Sequence, residues 1–284
     1  MADQINLRSE RSSAGVVTAT FDAAGRSVNV WDQALFAALA ALLDDLERDP
    51  PAAVVFRSAK PSGFLAGADL FWIAGMTTVA EVHALLRTGR ELFARVAALP
   101  APTFAALHGP CLGGGLEFAL ACTCRIARND AATILGLPET QVGLIPGWGG
   151  TQSLPRRVGY AAAARMIAAG NPVAPAEALA IGLVDAVFPL ETFDRDLADL
   201  VAARKGPRPS DHAAATPVDA AMAADHPAAA AALRAVAAGL RHGIERGLEA
   251  ERDEFCRVLF DPECRARFDA FFERQRARKA ARNP

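Results

Sequence analysis

Two glutamates, each set among apolar residues beside a run of glycines, are the groups in this sequence best placed to move protons. Glu117 lies within residues 109–120 (GPCLGGGLEFAL), directly after an apolar run at residues 103–107. Successive glycines strip the β-carbons from that turn, so the backbone N–H groups of Gly113 and Gly114 are open to close approach by a ligand. They open a helix, where unpaired N–H groups and the helix dipole favour negative charge. The segment is neither a Walker A loop, since no Gly-Lys-Ser/Thr follows, nor a G-x-G-x-x-G dinucleotide turn. Taken alone, a glycine turn needed only for tight helix–strand packing reads the same way, and a lone acid in a first helical turn reads as a dipole partner. The second glutamate changes the weighing. Glu139 follows Leu137 and Pro138 and precedes GLIPGWGGTQ at residues 143–152, again an acid beside glycines. Two carboxyls converging in an apolar pocket push their proton affinities apart and can share a proton, as acid/base catalysis requires.

A third segment, residues 64–70 (FLAGADL), contains small residues that expose another backbone N–H; Asp69 there reads as a helix cap rather than a base. His108 and the cysteines at 111, 122 and 124 have no base or metal partner in view, so a structural histidine and inert thiols are the expectation.

These segments sit in a β-α alternation. Residues 15–22 and 53–57 read as strands around a helix at 32–48; residues 79–99 read as a helix stopped by Pro100, then a strand at 103–107 and a helix from about Leu116. Such alternation implies parallel pairing with right-handed crossovers. After Gly159, helices are expected at 160–169, 175–181 and up to about Arg204, with a short strand at 184–188. Residues 205–227 are rich in Pro, Ala and Asp and read as a linker, dividing a core at 1–204 from C-terminal helices at 228–284. Phe268, Phe271 and Phe272 form a stripe on the last helix and read as a packing surface, with a neighbouring subunit as one candidate partner.

With 52% hydrophobic and 22% charged residues the 284-residue chain has a globular composition, and its net charge of −2 provides no global field for nucleic acid or an anionic membrane. Basic residues cluster only near the C-terminus (Arg265, Arg267, Arg274, Arg276, Arg278, Lys279 and Arg282). An odd number of scattered cysteines, no apolar leader and no membrane-length apolar run lead to the expectation of a cytoplasmic protein without a bound metal.

Together, FLAGADL at 64–70, GPCLGGGLEFALAC at 109–122, LGLPETQVGLIPGWGGTQSLPR at 135–156 and the A-x-x-x-G-L-V-D pattern at 178–185 resemble the crotonase (enoyl-CoA hydratase/isomerase) family. The likeness runs over about residues 10–200 and is strongest to the hydratase portion of multifunctional fatty-acid oxidation proteins. It implies an α/β fold, a crotonase-like spiral of ββα units with a C-terminal helical region that reaches a neighbouring subunit in a homotrimer or homohexamer. It further implies a 2-enoyl-CoA hydratase, with an enoyl-CoA isomerase or a non-catalytic acyl-CoA-binding relative as the alternatives, and an acyl-CoA substrate, coenzyme A being part of the substrate and no separate cofactor being needed. The oxyanion hole falls on the N–H groups of Ala68 and Gly114. Glu139 exchanges a proton with Cα and Glu117 orients the water that adds at Cβ. Ala66, Gly67, Asp69, Leu70 and Gly113 would lie along the substrate, Gly147 beside the water and Trp148 on the acyl pocket. Lys60 and the C-terminal basic cluster are the candidates for the coenzyme A phosphates. The chain is too short to include the dehydrogenase of the multifunctional proteins, so a 3-hydroxyacyl-CoA dehydrogenase is the expected partner.

Overall fold

The computed structural model describes residues 6–203 and 226–282, so the linker expected at 205–227 falls almost wholly outside the described residues. A six-stranded sheet in the order β1 (Leu7–Arg11), β2 (Val16–Phe21), β3 (Ala53–Ser58), β4 (Thr103–Leu107), β6 (Cys124–Asn129), β8 (Ala186–Pro189) forms the base. Only β1, antiparallel to β2, departs from parallel pairing. Beside it runs a second, shorter ladder: Trp31 bridges Ala68, Leu65 bridges Cys111, β5 (Pro110–Leu112) pairs with β7 (Ile134–Gly136), and Leu135 bridges Val173.

Each turn of chain thus supplies one strand to the large sheet, one short segment to the ladder, and then a helix. β2 is followed by residues 29–31 and α1 (Gln33–Arg48); β3 by residues 64–68, α2 (Leu70–Ala74) and α3 (Val79–Ala98); β4 by β5 and α4 (Gly114–Ala121); β6 by β7, a 3-10 turn (Glu139–Val142) and α5 (Gly150–Val158). This is the repeating ββα unit that the resemblance implied. The alternation of strands with helices in the sequence indicates parallel pairing but not the ladder, whose rungs are mostly one residue long.

The helices begin where their sequences provide caps. Asp32 accepts from Leu35 N–H at the start of α1, and Thr78 with Glu81 forms a capping box at the start of α3. Strand periodicity divides the interior in two. Val54 and Phe56 of β3, with Ala105 and Leu107 of β4, face the main core, whereas Val55, Phe104 and Ile126 face α8 (Phe193–Ala202).

The main core is continuous from Phe21, Trp31 and Phe118 through to Val236, Phe255 and Phe268 of the C-terminal helices α9 (Pro227–His242), α10 (Ile244–Leu259) and α11 (Pro262–Arg282). α11 packs against its own chain. Phe272 meets Phe71 of α2 with ring centroids 4.6 Å apart, and Arg265 Nη2 donates to Ala74 O (3.0 Å). The phenylalanine stripe is therefore a packing surface within the chain: Phe268 and Phe272 are buried and Phe271 partly so. No helix among the described residues is long and apolar enough to cross a membrane.

Candidate active site

The helix starts of this fold gather around one cavity of about 810 Å³. Ala66, Gly67, Ala68, Asp69 and Leu70 line one side, Gly113, Gly114 and Glu117 another, and Glu139, Gly147 and Trp148 complete the wall. Segments far apart in sequence, from Ala66 to Trp148, are brought together beside the ladder.

Two backbone amides are presented without an acceptor among the described residues. At the Trp31–Ala68 bridge, Trp31 N–H donates to Gly67 O and Asp69 N–H donates to Trp31 O, both at 2.9 Å. Peptide directions alternate along a strand, so the N–H of Ala68 itself points away from Trp31. Gly114 is the first residue of α4, where an N–H has no intrahelical acceptor. The turn before it depends on Gly113, whose φ of 54° and ψ of −131° suit only glycine. Trp31 serves both amides: its backbone brackets Ala68 and its indole Nε1 donates to Gly114 O (3.1 Å). Nothing in the sequence marked Trp31 for this part, because its neighbours read as an ordinary loop before a capped helix.

Glu117 is 4% exposed, and its Oε1 accepts from Trp148 N–H (2.8 Å) and Gly150 N–H (2.7 Å). Its Oε2 accepts no hydrogen bond from the described residues. Glu139 begins the 3-10 turn and faces the cavity, and its buried Oε2 also has no partner. Both carboxyls hold their protons more tightly than usual. Burial raises Glu117 well above the ordinary carboxyl range, helped by the nearby charges of Glu139 and Glu251, while its two amide donors oppose the shift. Burial likewise pushes Glu139 up to about 8. Two such groups in one apolar cavity titrate together, so near neutral pH the pair retains a proton to give.

Trp148 stands next to Glu117 with its indole lying over Gly89 of α3 and Gly114 of α4, where β-carbons would overlap the ring. Its Nε1 donates to Leu85 O (3.3 Å), and Phe36 and Phe93 meet it edge-on, at centroid distances of 5.3 and 5.8 Å. The ring forms a fixed wall between cavity and core.

Asp69 caps α2, accepting from Phe71 and Trp72 N–H, and pairs with Arg26 at 2.9 Å. It lines the cavity, yet its carboxylate is engaged in holding the helix start. Lys60 does not reach the cavity: its Nζ pairs with Asp22 at 2.8 Å, and its carbonyl takes a hydrogen bond from His108 Nε2 in the tautomer protonated there (2.9 Å). That bond and the downward effect of burial on its proton affinity fit a neutral structural imidazole. The cationic residues at the cavity are instead Arg26, Arg274 and Arg276. The side chains of Arg278, Lys279 and Arg282 lie outside those described. All five cysteines are buried, and burial raises the thiols of Cys122 to about 12 and Cys124 to about 11, so none offers a thiolate.

Raised carboxyl affinities bear on stability. The folded state keeps protons that the unfolded chain releases above about pH 4.5, so stability falls as pH rises from there through about 8. Glu139→Gln is accordingly expected to raise the thermal midpoint, and by more at pH 8 than at pH 5. Circular dichroism melts at the two pH values check this; an equal or absent gain contradicts the buried-acid assignment.

A model of the enoyl-CoA hydratase/isomerase family matches residues 11–277 of this chain. The chain belongs to the enoyl-CoA hydratase/isomerase family. As a family member it shares the crotonase fold with solved structures that cover nearly all of it. An enoyl-CoA hydratase from Bacillus anthracis is 29% identical with a TM-score of 0.65, covering 95% of this chain and 96% of that one. DspI from Pseudomonas aeruginosa is 30% identical, covers 96% of each chain and has a TM-score of 0.65. Human mitochondrial delta3-delta2-enoyl-CoA isomerase is 26% identical with a TM-score of 0.74, covering 96% of this chain and 99% of that one.

Proposed function

We propose that this family member is a 2-enoyl-CoA hydratase, adding water across the C2=C3 bond to give a 3-hydroxyacyl-CoA. The observation that carries the reading is the pair of acids, buried Glu117 and half-buried Glu139, beside the amides of Ala68 and Gly114, which have no acceptor among the described residues. In this reading the thioester oxygen lies between the two N–H groups, which bind it most strongly when it becomes an enolate oxyanion. Glu117, its Oε1 fixed by two amides, holds the attacking water through Oε2 and takes its proton as oxygen bonds to Cβ. Glu139 delivers a proton to Cα, and the pair again carries one proton after a proton passes between its members. Arg26, Arg274 and Arg276 at the cavity meet the coenzyme A phosphates, in place of Lys60. The product is a secondary alcohol, suited to a hydride-transferring dehydrogenase acting next, and assembly as a trimer or hexamer follows the family pattern.

Isomerisation is the second reading, favoured by the TM-score of 0.74 to the human isomerase. Moving a double bond requires proton removal and return but no held water. Glu117→Gln separates the two: hydration is expected to fall by about 30-fold or more, roughly 2 kcal/mol in barrier, whereas isomerisation through Glu139 persists. The test follows loss of the conjugated-thioester absorbance with 2-enoyl-CoA esters of increasing length. No hydration of any ester by folded protein rejects the hydratase.

A further inference from the structure

α10 sends one carboxylate into the back of the site. Glu251 is 0% exposed and fully engaged: Gly149 N–H (2.8 Å) and Arg90 Nη2 (3.0 Å) donate to Oε1, while Thr151 N–H (3.1 Å) and Thr151 Oγ1 (2.6 Å) donate to Oε2. The same arginine, from α3, donates through Nε to Gly147 O (3.1 Å). The amides of residues 148–151 are thus held alternately by two buried acids, 148 and 150 by Glu117 and 149 and 151 by Glu251.

Such alternation is what a turn presents when successive peptides point to opposite sides, and Gly149 at φ 102° makes the reversal possible. The turn cannot shift toward or away from Glu117 without breaking bonds to Glu251. A buried carboxylate with one cationic partner and three further donors is not needed for packing, since well-packed apolar groups commonly serve stability as well or better.

We propose that Glu251 and Arg90 form a positioning pair, by which the C-terminal helices set the placement of Glu117 through the turn at residues 147–151. This rests on the reading of Glu117 as a working acid. The charged groups facing Glu117 are Glu139 from the 3-10 turn and Glu251 from α10, with Arg90 of α3 bound to the latter. Burial raises the proton affinity of Glu251 itself, while Arg90, Thr151 and the amides of Gly149 and Thr151 hold it ionised; its charge raises the proton affinity of Glu117, so removing it lowers that affinity.

The test compares Glu251→Gln, Arg90→Lys and the apolar double variant Arg90→Met/Glu251→Met in the full chain. Glu251→Gln and the double variant are expected to lose about 10- to 100-fold in kcat with KM within about threefold, as misplacement of a reacting group predicts. Arg90→Lys keeps the charge but loses the fork spanning Gly147 O and Glu251, with an expected loss of about threefold to tenfold. The carboxyl carbon of Glu117, followed by 13C NMR and assigned by its absence in Glu117→Gln, is expected to titrate at lower pH in Glu251→Gln than in the wild type. This shift is independent of which reaction the enzyme performs, so failure of the hydratase reading is seen separately, as absence of wild-type hydration. Unchanged kcat in any folded variant, or an unmoved Glu117 titration in folded Glu251→Gln, overturns the pair. An unfolded Glu251→Gln together with unaffected Arg90→Lys does so as well.

Discussion

Glu139→Gln is expected to lower kcat for 2-enoyl-CoA hydration by about 10³-fold, within the range that a positioned general acid contributes. The glutamine fills the same space and adds no charge, so binding of the thioester, held by the amides of Ala68 and Gly114 and by the cavity wall, should change little. The pH profile carries a second signature. In the wild type, Glu139 keeps its proton up to about 8, so the rate falls as pH rises through that region and the proton needed at Cα is lost. In the variant that alkaline limb disappears. Stopped-flow or steady-state loss of the conjugated-thioester absorbance from pH 5 to 10 measures both effects. A loss below about tenfold with the alkaline limb intact would remove Glu139 from the chemistry and leave Glu117 to act alone. The same substitution is expected to stabilise the fold at pH 8, and loss of rate with gain of stability is the pattern of a site that holds acids where apolar groups would pack better.

The acids and amides that line the cavity were legible in the sequence because each sits within a short segment whose composition is unusual for its place in the fold. A glycine run opening an apolar helix leaves its amides open to a ligand, and an acid two residues beyond that run is conspicuous. Helix and strand positions were legible for the related reason that their signals are local: α3 and β4 lie within one residue of the apolar periods that indicated them. The supporting shell was not legible. Glu251 stands among Glu249, Arg252, Asp253 and Glu254 on a charged amphipathic helix, where its neighbours read as a solvated face, and its acceptor role is set by a turn about 100 residues earlier. The one local sign is negative: Gly239 and Gly247 weaken α9 and α10, and a β-carbon at either would overlap the Gln152 side chain. Glycine within a helix costs about 1 kcal/mol relative to alanine, so two at one helix–helix contact point to close approach there. Lys60 shows the opposite failure. The family resemblance makes it a candidate for the coenzyme A phosphates, but its partner Asp22, just after β2, is one that a local reading does not bring beside it.

Ala68→Pro is the second large effect, and it isolates one half of the proposed oxyanion site. Proline removes the Ala68 N–H and nothing else from the ladder, because the bonds across the bridge to Trp31 are made by Gly67 O and Asp69 N–H. Loss of a single preorganised donor costs roughly 3 kcal/mol, about 10²-fold, in enzymes that stabilise an oxyanion. The loss should fall on kcat far more than on binding of a saturated acyl-CoA, whose carbonyl carries little of the charge that the amide meets in the enolate. The corresponding change at Gly114 would not be interpretable, since any β-carbon there overlaps the indole of Trp148 and disturbs the wall as well as the amide. A melt close to wild type, an acyl-CoA dissociation constant within about threefold and a kcat reduced about a hundredfold would establish that the rate depends on this N–H. A folded variant with kcat within about twofold of wild type would mean that Gly114 alone carries the developing charge. The spatial logic of the ladder, in which Trp31 ties both amides into one unit, would then serve only the fold.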